Sequence, residues 1–303
     1  MVKDLKHCPP RTEQEQICEL YSLVFGLQEQ IDNLPAQTPT LPDIIGNTPI
    51  GSPANPVYYD GESLRPITPT WAGSSWETIA LVLNQGEAAT YFHVGDQRKI
   101  TFGNAPMILT IVGINADELA DGSGKAGITV EATTMPADLQ RIQDPDNNQK
   151  NITQTTMYTK VLPEYISMLP IEAQPLIKSV IKKAFYQNTT TLNNYVCQAF
   201  TPSIAEIYSA AALVAADMGQ YSPEGVQYEY YKQLIGDASP NVENTKLLKY
   251  AQNTTAAQTW WTRTIVYPGT TDYYYMATGY QWNGRLNGGG SHNLGGVSFM
   301  FCM

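Results

Sequence analysis

The sequence predicts an α+β protein in three parts: an N-terminal coiled-coil helix, an extended proline-rich strap, and a mixed α+β domain. Three observations predict it. Apolar residues recur at alternating spacings of three and four between Ile17 and Leu34. Eight prolines fall within positions 35–70. From position 71 onward, short helical patterns alternate with β-branched apolar runs, the texture of an α+β domain. The predicted divisions are 1–34 for the helix, 35–70 for the strap, 71–150 for a β-rich first part of the domain, and 151–303 for its second part.

In the first section Ile17, Leu20, Val24, Leu27, Ile31 and Leu34 occupy the a and d positions of a heptad. Tyr21 and Leu23 widen the stripe, and its flanks are largely uncharged, which suits three or more strands better than two. The expectation is a homotrimer, with the same segment anchoring the chain to other proteins. The pattern also fits an amphipathic helix lying on its own domain. In the strap, proline removes backbone donors and fixes φ, so the chain should run extended at about 3.1 Å per residue.

In the domain, "SSWETIALVLNQG" predicts a helix N-capped near Ser75 and closed at Gly86, followed by a turn at Gly95-Asp96 and a strand. "MILTIVGIN" and "KAGITVEATTM" predict buried strands. "YTKVLPEYISMLP" and "PLIKSVIKKAFYQ" carry helical spacing, broken by Pro163, Pro170 and Pro175, and Lys178, Lys182 and Lys183 then form a solvated helix face. "TPSIAEIYSAAALVAADMG" reads as a strand running into helix, and "GVQYEYYKQLIG" as a short helix. "TWWTRTIV", "DYYYMATG" and "GGVSFMFCM" read as strands.

Composition narrows the function. Charged residues are only 15%, and the net charge is −10. A nucleic-acid partner needs clustered Lys and Arg, so none is expected. No run approaches the 18 apolar residues of a membrane span, and the N-terminus lacks an apolar signal core, so neither a span nor export by the usual signal is expected. Four scattered cysteines and three histidines point to no metal centre or cofactor. Asn115, Asp117, Asp121 and Ser123 could offer oxygens to Ca²⁺, but their spacing is not that of an EF-hand loop, and turn chemistry accounts for them. No Ser/His/Asp set, Walker loop or HExxH motif is present, so no enzyme is expected.

Several phrases are nonetheless specific together. Trp76, Gly86, Gly95, Asp96 and Lys99 in "WETIALVLNQGEAATYFHVGDQRKITF", then "VGINADELADGSGKAGITV", "GVQYEYY", "WWTRT" and "GGVSFMFCM", fall in one order over roughly 71–303. That order resembles an uncharacterised domain family of phage and Firmicutes proteins. The last three phrases also resemble the C-type-lectin-like fold of the variable proteins of diversity-generating retroelements. The chain departs from that pattern at Val297-Ser298, where the family has Arg-Pro. With the helix and strap, the resemblance implies a bacteriophage fibre or adhesin on the virion surface, made in a host cytoplasm, that binds a host-surface glycan or protein. The alternative is a structural capsid or tail decoration protein.

The resemblance puts the binding face between the last two motifs, at Tyr273, Tyr274, Tyr275, Tyr280, Trp282, Asn283, Arg285, Asn287, Ser291, His292 and Asn293. The residue types agree. Tyr and Trp give rigid contact area at low entropy cost, while Asn, Ser and Gly supply adaptable hydrogen bonds. Trp260 and Trp261, adjacent in a strand, should point to opposite faces and serve as structure.

Overall fold

Strands that are apolar on both faces need cover on both sides, and the main sheet of this chain has it. The computed structural model describes residues 58–59, 66–144, 151–186, 191–266, 273–277 and 286–303. The coiled-coil positions Ile17, Leu20, Val24, Leu27, Ile31 and Leu34, and most of the strap, lie outside them. All described residues belong to one unit, Val57–Met303.

In chain order, β1 (Tyr58–Tyr59) and β2 (Pro66–Ile67) precede helices α1 (Trp76–Asn84) and α2 (Ala88–Tyr91). There follow β3 (Gln97–Phe102), β4 (Ala105–Ile114), β5 (Ile128–Ala132) and β6 (Thr134–Met135). A π-helical turn at Met157–Val161 runs into α3 (Leu162–Met168). Next come β7 (Val180–Phe185), β8 (Leu192–Cys197) and β9 (Ala199–Phe200), then α4 (Ile204–Ile207), α5 (Ala210–Ala215) and α6 (Glu229–Ile235). The chain closes with β10 (Lys249–Ala251), β11 (Ala257–Gln258), β12 (Trp260–Ile265), β13 (Tyr273–Ala277), β14 (Leu286–Gly290) and β15 (Met300–Cys302).

The main sheet has the order β3-β4-β5-β15-β9, with every pair antiparallel. The last strand of the chain therefore sits inside it, between β5 and β9. Strand alternation explains the terminal "FMFCM". Phe299, Phe301 and Met303 enter one core with Ile79, Val82, Leu162 and Tyr165. Met300 and Cys302 enter a second core with Ile204, Leu213, Tyr228 and Tyr231. Burying a Phe or Met side chain is worth roughly 2 kcal/mol, so these last residues tie the two layers together. β5 behaves alike: Ile128, Val130 and Ala132 join the first core, while Thr129 and Glu131 are buried on the opposite side.

The N-cap appears where expected: Ser75 Oγ accepts from Thr78 N at 3.1 Å. Gly86 and Gly95 adopt φ of +72° and +96°, the left-handed region that favours glycine. Three expectations fail. The segment predicted as the helix "PLIKSVIKKAFYQ" is strand β7, because its burial alternates: Val180, Lys182 and Ala184 are buried, Ile181 and Lys183 exposed. Lys182 is therefore not on a solvated face. "TPSIAEIY" is helix α4 and not a strand, and Glu206 Oε2 caps its start by accepting from the Ser203 backbone N–H at 2.9 Å. Pro163 does not end its helix either; it sits where the π-helical turn Met157–Val161 passes into α3.

Candidate functional site

Seven of the eleven predicted binding residues, Tyr273, Tyr274, Tyr275, Asn287, Ser291, His292 and Asn293, fall on the three-stranded antiparallel sheet β12-β13-β14 and the loop after it. Its base is β12, buried at all six positions. Trp260 enters the second core and donates from Nε1 to Leu247 O at 3.1 Å; Trp261 enters the first and donates to Gln140 O at 2.8 Å. Both are structural and on opposite faces, as alternation predicts. Arg263 is 0% exposed. Its Nη1 and Nη2 donate to Glu206 Oε2 and Oε1 at 2.5 and 2.7 Å, Nη1 also to Thr201 O at 2.8 Å, and Nε to Lys183 O at 3.0 Å. A bidentate guanidinium of this kind fixes a strand geometrically as well as energetically.

On this base, β13 pairs Trp260↔Ala277, Trp261↔Met276 and Ile265↔Tyr274, with a register shift between Trp261 and Ile265. β14 pairs Tyr273, Tyr274 and Tyr275 with Gly290, Gly289 and Gly288. Each of the three tyrosines stands opposite a glycine, and Met276 opposite Asn287. Asn287 and Asn293 are exposed, and His292 is half-buried. Tyr280, Trp282, Asn283 and Arg285 lie outside the described residues.

Ser291 departs from its expected role: it is fully buried. The cause is the 140–143 segment, which pins the loop. Gln143 N donates to Ser291 O at 3.1 Å, Gln140 and Gly295 exchange two backbone bonds at 2.8 and 2.9 Å, and Arg141 Nε donates to His292 O at 2.6 Å. Gly296 admits no side chain, since a Cβ there would lie 2.6 Å from Met135 Sδ.

Sequence reasoning missed two buried charge clusters, both held by "QYEYY". Tyr228 and Tyr231, three residues apart at the start of α6, reach one cluster each. In the first, Lys182 Nζ donates to Asp117 Oδ1 at 2.6 Å and Tyr228 Oη at 2.9 Å, and lies 2.5 Å from Glu206 Oε1. Tyr228 and Thr129 both donate to Asp117 Oδ2, at 2.8 and 2.5 Å. Burial opposes all these charges, yet mutual attraction wins: Lys182 is held above its ordinary pKa by Glu206 and Asp117, and Asp117 below its own by Lys182. Glu206 is likewise lowered against its burial by Arg263 and then Lys182. Glu224 is the exception. Burial raises it to about 7, and Arg263, committed to Glu206, offsets this only in part.

In the second cluster, Lys249 and Glu131 are in contact, and Tyr231 and Ser298 touch both. The one sequence signal for this cluster was a glutamate inside the apolar run "ITVEA".

A cleft of about 570 Å³ opens over the first cluster, with Asp117, Lys182, Glu206 and Tyr228 in its floor and Lys125, Glu118 and Glu229 among its other walls. Its floor charges satisfy one another, so they offer no free valence to a ligand. Of the proposed Ca²⁺ oxygens, Asp117 points inward to Lys182, and Asp121 accepts from Ser123 N and Oγ at 2.9 and 2.7 Å, a turn. Among the described residues no group of three His, Cys, Asp or Glu side chains could hold a metal ion, and no helix is long and apolar enough to cross a membrane. No protein family, curated protein or solved structure matches the chain.

Proposed function

We propose that this chain is a bacteriophage virion surface fibre or adhesin whose C-terminal, C-type-lectin-like domain binds a host-surface receptor or glycan. The observation that carries this reading is the contrast within one small sheet. β12 is buried at every position and locked by Arg263. The strands hung from it set a run of tyrosines against a run of glycines, with Asn287 and Asn293 exposed at their edge. Rigid scaffold beneath, and Tyr/Asn/Gly chemistry above, is how recognition surfaces combine low entropy cost with adaptable hydrogen bonding. Tyrosine rings also stack on the apolar faces of sugars while Asn and Arg reach hydroxyls. Trimerisation through Ile17 to Leu34 would present three such faces from one stalk, and the N-terminal segment would hold the stalk to other virion proteins.

The test is adsorption of purified full-length protein to host cells and to a glycan array. Retention at micromolar protein, lost in the triple variant Tyr274→Ala, Trp282→Ala, Arg285→Ala, is the expected result. No retention of the unaltered protein would assign the chain to capsid or tail decoration instead.

A further inference from the structure

Tyr231 and Ser298 each bridge the two members of a buried amine–carboxylate pair. Lys249 Nζ donates to Tyr231 Oη at 3.0 Å and to Ser298 Oγ at 2.7 Å. Both hydroxyls donate onward to Glu131: Tyr231 to Oε1 and Oε2 at 2.8 and 2.9 Å, and Ser298 to Oε1 at 2.8 Å. Lys249 Nζ also meets Glu131 Oε1 directly. Glu131 is fully buried and Lys249 nearly so, and the Trp260 ring lies 4.1 Å from Nζ. The parts of a condensation are all present: a nucleophile, a carboxyl group, two hydroxyls placed to relay a proton between them, and a site closed to water.

Charge sets this pair apart from the other buried pair. Lys182 has two carboxylates against it, and Arg263 holds one of them. Its ammonium is stabilised, and the pair stays ionic. Lys249 has one carboxylate, and burial keeps its pKa below the ordinary value despite Glu131. Lys249 thus lacks the second carboxylate that holds Lys182 charged, and its buried amine is the better nucleophile of the two.

We propose that Glu131 and Lys249 are joined by an intramolecular amide that the folded chain makes for itself. Lys249 Nζ attacks Cδ of Glu131 and an N–C bond forms. Tyr231 and Ser298 donate to the oxyanion of the tetrahedral intermediate. One C–O bond then breaks, and the hydroxyl leaves as water with a proton that came from the nitrogen. No oxidant, reductant or cofactor enters. The product replaces two buried ionisable groups with a neutral amide and closes a loop between residues 118 apart in sequence. It staples β5 to β10, beneath the tryptophan that anchors the proposed binding sheet, and it stands whether or not that sheet binds a host.

Intact mass of the full chain, measured denatured, tests this. The expected mass is that of the sequence less one water, and a protease digest should yield a branched peptide joining Glu131 to Lys249. Lys249→Arg keeps the positive charge, cannot condense in the same way, and should show its full sequence mass. A full mass for the unaltered chain would overturn the proposal. So would a deficit that maps elsewhere, such as a succinimide at Asp121-Gly122, or one that survives in Lys249→Arg. Should that variant fail to fold, the mass and peptide map of the unaltered protein decide alone.

Discussion

Among the described carboxylates, burial pushes Glu224 up. It accepts from Thr264 Oγ1 and, at 3.4 Å, from Phe185 N, while Arg263 donates both its Nη groups to Glu206. Its pKa stands at about 7, against an ordinary 4.5. Because the folded value lies above the unfolded one, the native state binds more protons between them. The stabilisation is complete below about pH 4.5 and is lost as pH rises through about 7, a change on the order of 3 kcal/mol for this group. Urea denaturation at a series of pH values should show stability falling across that window, beyond what the other carboxylates give. Glu224→Gln keeps the acceptor and loses the charge. It should flatten the fall and raise stability at pH 8, and an unchanged slope in that variant would place the titration elsewhere.

Among the elements, α1 offers the cleanest local test. Ser75→Ala removes the only side-chain cap of that helix and should cost about 1 kcal/mol, read as a shift in denaturation midpoint, while Ser75→Thr should restore most of it. Such elements were legible because their causes are local: a cap before a periodic run, glycines at positive φ, two tryptophans in strand alternation. β7 was not, because "SVIKKAF" fits periods of two and near four alike, and the choice falls to Asp117, 65 residues away, which makes Lys182 an inward residue. The buried clusters escaped for the same reason. Tyr228 meets Asp117 across 111 residues and Tyr231 meets Glu131 across 100. In the candidate site, the exposure of Asn287 and Asn293 was legible in a polar, glycine-rich stretch, although Asn287 lies in strand β14 and not in a loop. The burial of Ser291 did not, since the 140–143 segment that covers it lies far back in the chain.

At the scale of the whole molecule, the proposed host binding would depend on the proposed trimer. Joining three copies of the proposed binding surface on one stalk would raise avidity by roughly 10²–10⁴ without any new contact. The heptad from Ile17 to Leu34 spans fewer than three repeats, which is marginal for an isolated helix. A stripe widened by Tyr21 and Leu23 predicts three or more chains rather than two. Light scattering of the full chain well above micromolar concentration should therefore give three times the 33.4 kDa chain mass. Val24→Asp with Leu27→Asp places charge in the seam and should return the monomer. Residues 57–303 have their own two cores, so the variant should keep the thermal transition of the domain while losing most of its retention on host cells. A monomer mass for the unaltered chain would remove the trimer. Undiminished retention of the monomeric variant would instead show that one face suffices and that the stalk serves attachment to the particle alone.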